Sequence, residues 1–261
     1  MKSSIHDDRR ETFGSRILSR GCSPQGYSLR LARRAADIRA AQALRFAVFN
    51  LELNEGLDES YLTGLDADRF DSACDHLLVE VAGKLVGTYR LQSGVLAEAH
   101  FGYYSACEFD FAPFAPLREE IIELGRACVH ADHRNIAVLG LLWQGIAAYA
   151  RERQCRYLMG CSSLTSQDPR EGAAIYSRLM RQHLAAPELL TRPLPAFECP
   201  LTELAERPPR VPKLLSAYLS IGAKICAPPA IDRQFRTIDF LTLLDLDSLP
   251  PAAARLMGKT E

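Results

Sequence analysis

Glu123 and Arg126 interrupt an otherwise apolar, strand-forming stretch, "EIIELGRACVHADHRN" (residues 120–135), with Gly125 between them. A carboxylate can take the proton from an attacking amine, and a guanidinium can grip a carboxylate with two parallel hydrogen bonds. Residues three apart on a regular strand face opposite sides, so a shared site requires an extra residue, a β-bulge, between them. Gly125 tolerates such a distortion. A bulge also leaves backbone N–H groups unpaired, and these can hold a carbonyl oxygen that gains charge. A purely structural ion pair remains the competing reading of the same two residues.

Other reactive groups read less sharply. "HADH" (His130, Asp132, His133) does not have zinc-ligand spacing, and helix capping by Asp132 or Asn135 accounts for it, so no metal is expected. Eight cysteines occupy positions 22, 74, 107, 128, 155, 161, 199 and 226 without a C-x-x-C pair. That pattern suits a reducing, cytoplasmic setting. Cys128 and Cys161 are expected on neighbouring strands, where a thiol could serve as an acyl nucleophile. Neither has a base within its own motif, and buried apolar cysteines are the commoner case.

Several elements must position these groups. "DIRAAQALRFAVFNLEL" places Ile38, Ala41, Leu44, Val48 and Leu51 on one helical stripe. A long acidic loop follows, then "HLLVEV-AGK-LVGTYRL", a β-hairpin around a short glycine-containing turn. The Glu123 strand comes next, then the helix "VLGLLWQGIAAYARERQ" and the strand "CRYLMGCSSL". Strand, helix, strand in that order implies a parallel pair. "REGAAIYSRLMRQHL" and "KLLSAYLSIGAKIC" read as helices and "TIDFLTLLDL" as a last strand. The expected fold is α/β (α+β), a mixed, mainly antiparallel sheet flanked by helices, with a bulged central strand and a C-terminal extension.

The 261 residues are 48% hydrophobic and 24% charged with a net charge of −1, an ordinary globular balance that gives no reason to expect nucleic acid as a partner. Five arginines (Arg30, Arg33, Arg34, Arg39, Arg45) between Ser28 and Arg45 face the single acid Asp37, a basic face for an acidic partner or a solvated helix surface. No apolar run approaches the ~18 residues a bilayer crossing needs. Residues 1–27 read as a flexible leader without a signal-peptide core, 28–250 as one domain and 251–261 as a tail.

Hairpin, bulged strand, helix and strand resemble the core of the GNAT acyltransferase fold, whose opened strand pair receives the pantetheine arm and its thioester. "LRFAVF" (with Arg45), "DRFD" (Asp68 to Asp71), "GTYRL" (with Arg90) and "ELGR" resemble the signature of acyl-homoserine-lactone synthases. More closely, "CDHLLV", "ELGRACV", "LLWQGIAAYA", "YLMGCSSL" and "AYLSIGAKICAPPAIDRQFRTIDFLTLLDL" resemble the bacterial ornithine Nα-acyltransferases, often labelled hemolysin-like, over roughly Tyr27 to Pro250. Two departures matter. The segment Arg134–Leu139 lacks both glycines of the loop that wraps a CoA pyrophosphate, which favours a carrier-protein donor. The single Trp143 lies in a later helix than the substrate-pocket tryptophan of the homoserine-lactone synthases.

The resemblance implies transfer of a long (3-hydroxy)acyl chain from acyl carrier protein to the α-amine of L-ornithine. Glu123 would be the base, and Arg126 would fix Glu123 or a substrate carboxylate. Arg45, Asp68, Asp71 and Arg90 would form an ion-pair network that orders the long acidic loop over the substrate pocket, and a carboxylate there, or Asp75 as the closest alternative, would take the side-chain ammonium. Cys128, Val129, Arg134, Asn135, Leu142 and Trp143 would border the acyl-pantetheine arm, with "EFDFAPFAP" and Leu141 lining an apolar slot or, alternatively, filling the core. Arg30, Arg33, Arg34, Arg39, Lys213 and Lys224 would meet the acidic carrier protein. No bound cofactor is expected, only the phosphopantetheine thioester as donor substrate. "LLSAYLSIGAKICAPPAI" could rest on the inner face of the cytoplasmic membrane, with core packing as the default. An N-acyl amino acid synthase for another amine, or a non-catalytic carrier- or lipid-binding module, are the alternative functions.

Overall fold

The computed structural model describes residues 25–257. Residues 1–24 of the expected leader lie outside them, whereas Tyr27 opens strand β1 (Tyr27–Leu31). Tyr27, Leu29 and Leu31 alternate into the core, the period of a half-buried strand. Arg30 is therefore on a strand, not a helix face, and its guanidinium is held by Glu80 and Asp37 at 2.7–3.0 Å.

Helix α1 (Ala35–Phe46) begins where the Asp37 carboxylate accepts the backbone N–H groups of Arg33 and Arg34. It continues into a wider π-helical segment, Ala47–Glu52. The change of period rotates later residues off the expected stripe, so Val48 and Phe49 are buried but Leu51 is 63% exposed. A one-turn helix, α2 (Ser60–Thr63), lies in the acidic loop.

Strands β2 (Asp75–Val81) and β3 (Lys84–Ser93) form the expected hairpin. Ala82 and Gly83 both have positive φ (49° and 73°), the two-residue turn whose twist matches paired strands. Helix α3 (Gly94–Ala99) leads into the aromatic loop and strand β4 (Ile121–Val129). Helix α4 (Ile136–Glu152) then returns the chain to β5 (Tyr157–Leu164), parallel to β4. After α5 (Pro169–His183) and α6 (Lys213–Ser220) come β6 (Lys224–Ile225), β7 (Ala230–Asp232) and β8 (Thr237–Asp245). The eight-stranded sheet runs β1-β2-β3-β4-β5-β8-β6, with β7 also on β8 and every pair except β4/β5 antiparallel.

Both faces are covered. Leu142, Trp143 and Ile146 of α4 pack on Leu29, Leu77, Leu91 and Leu158, and Trp143 meets Tyr218 edge-on at 5.3 Å. Phe109 and Phe114 of the aromatic loop pack with Met159 and Leu241 in a separate core cluster. That loop is core, not an acyl slot. "KLLSAYLSIGAKIC" is helical only to Ser220: Gly222 (φ +105°) turns the chain, and Lys224–Ile225 joins the sheet. Leu215, Tyr218 and Leu219 of α6 are buried, so its apolar side covers the core and is not free to meet a membrane. The expected tail also departs from expectation, since α7 (Pro251–Leu256) carries Met257, 1% exposed, into the main core.

Candidate active site

Strands β4 and β5 pair only from Ile121↔Tyr157 to Glu123↔Met159, then part. Gly160 sits at the fork, where a Cβ would lie 2.2 Å from the Leu124 carbonyl oxygen, so only glycine lets the strands approach and then diverge. On the other side of β4, Arg90 pairs with Gly125 and Thr88 with Cys128, so Tyr89 alone opposes Arg126 and Ala127. That is the expected bulge. The left-handed backbone falls on Arg126 (φ +52°), not on Gly125. A side chain in this region costs about 1–2 kcal/mol, so its surroundings must hold it there. A cavity of about 470 Å³ opens along the fork between Leu124–Val129 and Cys161–Ser163, and both Glu123 and Arg126 line it.

Glu123 is 6% exposed. Its Oε2 accepts the Tyr104 N–H at 2.7 Å, and its Oε1 accepts the Ser105 N–H at 2.7 Å and hydroxyl at 2.6 Å. Burial pushes the carboxyl above its ordinary value while these hydrogen bonds pull the other way. Arg126 does not fix Glu123, the first of the two roles expected of it. The aromatic loop does, because it folds back over β4.

Arg126 belongs instead to a buried network. Its Nη2 lies 3.1 Å from Asp68 and its Nε 3.4 Å from Asp66, with the guanidinium between the rings of Tyr104 and Phe235. Arg90 Nη1 pairs with Asp68 at 2.7 Å and Asp71 at 3.1 Å, and Arg45 joins Asp66 and Asp71 at 2.7 Å each. Burial raises the carboxyls of Asp68 and Asp71, but the neighbouring arginines outweigh it and hold both below the ordinary value. Of the charged residues of this network only Arg90 and Arg126 line the cavity. Arg45 and Asp71 act from behind, as does Asp66, which the sequence reading missed. Asp75 does not reach the cavity: it accepts from Tyr149 at 2.8 Å and Arg153 at 3.0 Å.

On the donor side Cys128, Val129 and Arg134 line the cavity, whereas Leu142 and Trp143 are core residues. Asn135 is also outside it: its Oδ1 caps α4 by accepting the N–H groups of Ala137 and Val138 at 3.0 and 3.1 Å. Arg134 is bound by Glu52 at 2.5 and 2.7 Å. Arg134 and the Ala137 and Val138 amides of α4 are thus engaged within the chain. Burial pushes the Cys128 thiol up to about 12 and Cys161 well above its ordinary value, so neither is a ready thiolate.

Ser105 and Gln92 are among the cavity residues that carried no sequence signal. Ser105 lies in a loop that reads as aromatic filler. Gln92 pairs with Glu123 across the sheet and is 1% exposed, and both polar atoms of its side chain lack a partner among the described residues.

A strand pair forked beyond a buried glutamate, with a bulge on one arm, defines an acyltransferase of the GNAT fold. The family profile described as "Acetyltransferase (GNAT) domain" matches residues 44–144. The chain is 33% identical over 243 residues to the L-ornithine Nα-acyltransferase of Rhodobacter capsulatus, covering 87% of this chain and 93% of that protein. It is 35% identical over 237 residues to the one from Agrobacterium fabrum, covering 84% and 81%. Among solved structures, an N-acyl amino acid synthase from uncultured soil microbes superposes with a TM-score of 0.53 at 13% identity, over 85% of this chain and 91% of that one, a likeness of fold. The chain belongs to the L-ornithine Nα-acyltransferase family. No helix among the described residues is long and apolar enough to cross a membrane.

Proposed function

We propose that this enzyme moves a long (3-hydroxy)acyl chain from the phosphopantetheine thioester of acyl carrier protein to the α-amine of L-ornithine, giving lyso-ornithine lipid. The observation that carries the reading is Glu123, buried and anchored at the fork of β4 and β5, where an acyl-pantetheine arm laid in the cleft would end. The α-amine attacks the thioester carbonyl and forms the C–N bond. Glu123 takes the proton from the nitrogen, directly or through one water, and its raised carboxyl basicity suits that task. Backbone N–H groups left unpaired at the bulge hold the oxyanion, the C–S bond breaks, and the pantetheine thiolate leaves and is protonated. Arg90 and Arg126, locked by aspartates, keep the bulge in its left-handed geometry.

A carrier protein is the better donor than free CoA because the α4 amides and Arg134 are engaged within the chain. Arg33, Arg34 and Arg39 are exposed and would meet the carrier's acidic surface; Arg30 is already paired.

The test combines purified protein with acyl- and 3-hydroxyacyl carrier protein or acyl-CoA, and with ornithine, lysine, glycine, tyrosine or homoserine lactone. Products are weighed by mass spectrometry. N-acyl-ornithine formed from the carrier protein and not from CoA is expected. A different acylated amine would discard ornithine, and no amide at all would leave a binding role. Glu123→Gln should retain carrier binding and lower turnover about 10²–10⁴-fold; unchanged turnover would remove Glu123 from the mechanism.

A further inference from the structure

The same cavity meets a second group of buried charges. Glu55 and Asp239 line the cavity, and Glu108 stands behind Asp239, with donor atoms of Glu108, Cys161 and Asp239 all within 4.8 Å of one another. Asp239 and Glu108 are 3% and 2% exposed and close enough to share a proton, and when both are ionised Oδ1 of Asp239 and Oε1 of Glu108 meet no N–H or O–H donor among the described residues. Asp232, 6% exposed, adds a fourth carboxylate nearby, its Oδ1 accepting the N–H groups of Gln234 and Phe235 at 2.8 Å. No lysine or arginine pairs with any of the four among the described residues, whereas each aspartate of the arginine network has one.

Three short contacts connect this group to the base: Glu123 Oε1 to Ser105 Oγ at 2.6 Å, Ser105 Oγ to Cys161 Sγ at 3.4 Å, and Cys161 Sγ to Glu108 Oε2 at 3.7 Å. Ser105 and Cys161 thus set the acidic group close to the base, and Glu123, Ser105, Cys161, Glu55 and Asp239 all line the same cavity. Resting on the N-acyltransferase reading above, we propose that Asp239 and Glu55, backed by Glu108, receive the side-chain ammonium of a basic amino-acid acceptor while Glu123 faces its α-amine. The subsite thereby decides which amine is acylated: the ammonium held by carboxylates stays protonated and non-nucleophilic, and the α-amine is left at the base.

The electrostatics agree with the geometry. Burial and mutual repulsion push Asp239 up to about 6 and Glu108 well above the carboxylate range, and burial raises Glu55. Burial and mutual repulsion disfavour the ionised carboxylates, and a primary ammonium supplies the positive charge and the N–H donors that would stabilise them.

The experiment compares L-ornithine with L-norvaline, the same skeleton without the side-chain amine, as acceptors for the full-length enzyme and acyl carrier protein. Wild type should prefer ornithine on the order of 10²-fold or more in kcat/KM, and Asp239→Asn should cut that ratio at least about tenfold, chiefly through the KM for ornithine. An undiminished ratio in Asp239→Asn overturns the subsite. If the variant does not turn over, calorimetric titration of ornithine into both proteins decides, equal Kd values counting against the proposal. Titration with Zn²⁺ alone covers the rival occupant: tight binding lost in Asp239→Asn, with ornithine selectivity unchanged, would reassign the group to a metal. A wild-type preference for lysine over ornithine would discard ornithine and support the subsite. Ornithine acylation with unaltered selectivity in the variant would sink the subsite and leave the acceptor reading standing.

Discussion

Two charged regions border the same cleft, and they solve burial in opposite ways. On one side Arg45, Arg90 and Arg126 meet Asp66, Asp68 and Asp71, so every buried charge has a partner. On the other, Glu55, Glu108, Asp232 and Asp239 have no basic partner among the described residues. Burying an unpaired charge is far costlier than burying a pair, so the first region can be structural, while the second is shifted toward its neutral forms and is where the proposed subsite lies. The difference teaches where to look for ligand: in the region left electrostatically incomplete.

The largest expected effect comes from making the balanced side resemble the unbalanced one. Arg45→Ala strands Asp66 and Asp71 and should cost about 3–5 kcal/mol in urea unfolding. A loss below ~1 kcal/mol would show that the network is not what holds this half of the fold. Gly160→Ala should come next, since a methyl group against the Leu124 carbonyl forces the fork to shift; roughly 2–3 kcal/mol and reduced activity are expected.

Asp239→Asn should act in the reverse sense and stabilise the unliganded protein. The folded carboxyl near 6 lies above its unfolded value of 3.8, so its contribution to stability is complete below that value and lost as pH rises through about 6. A gain in urea-unfolding stability at pH 8 that fades toward pH 4 would sharpen the comparison; a loss at pH 8 would break it. The network titrates oppositely. Asp68 and Asp71 are held low, so their stabilisation is present above the ordinary carboxylate range and lost as pH falls through their depressed values. The smallest effect concerns Cys128, whose thiol near 12 should alkylate slowly with iodoacetamide at neutral pH. Rapid alkylation would reopen the nucleophile reading.

Parts of both the fold and the site were legible. The hairpin showed in its Val/Leu run and Ala-Gly turn, and the β-α-β unit in its switch of period, because these are local properties. The bulge was legible from Glu123 and Arg126 facing opposite ways without it. Its strained residue was not, because Arg126 keeps φ +52° only through Asp66, Asp68 and two aromatic rings brought from elsewhere. Strand β1 hid inside an arginine-rich stretch, since Arg30 is neutralised by Glu80, fifty positions away. Leu142 and Trp143 read as acyl-slot residues because helical periodicity marks a buried face without saying what buries it.

The chain's local chemistry thus determined the element order, the bulge and the candidate base, each set by neighbours within a few residues. Tertiary structure alone decided what each charge meets. It set Ser105 rather than Arg126 on Glu123, neutralised one acidic group with arginines from distant segments, and gathered Glu55, Glu108, Asp232 and Asp239 without any. The reason is physical: backbone geometry follows short-range sterics and periodicity, whereas an ionised side chain's energy depends on every charge within a few ångströms, and folding chooses those neighbours.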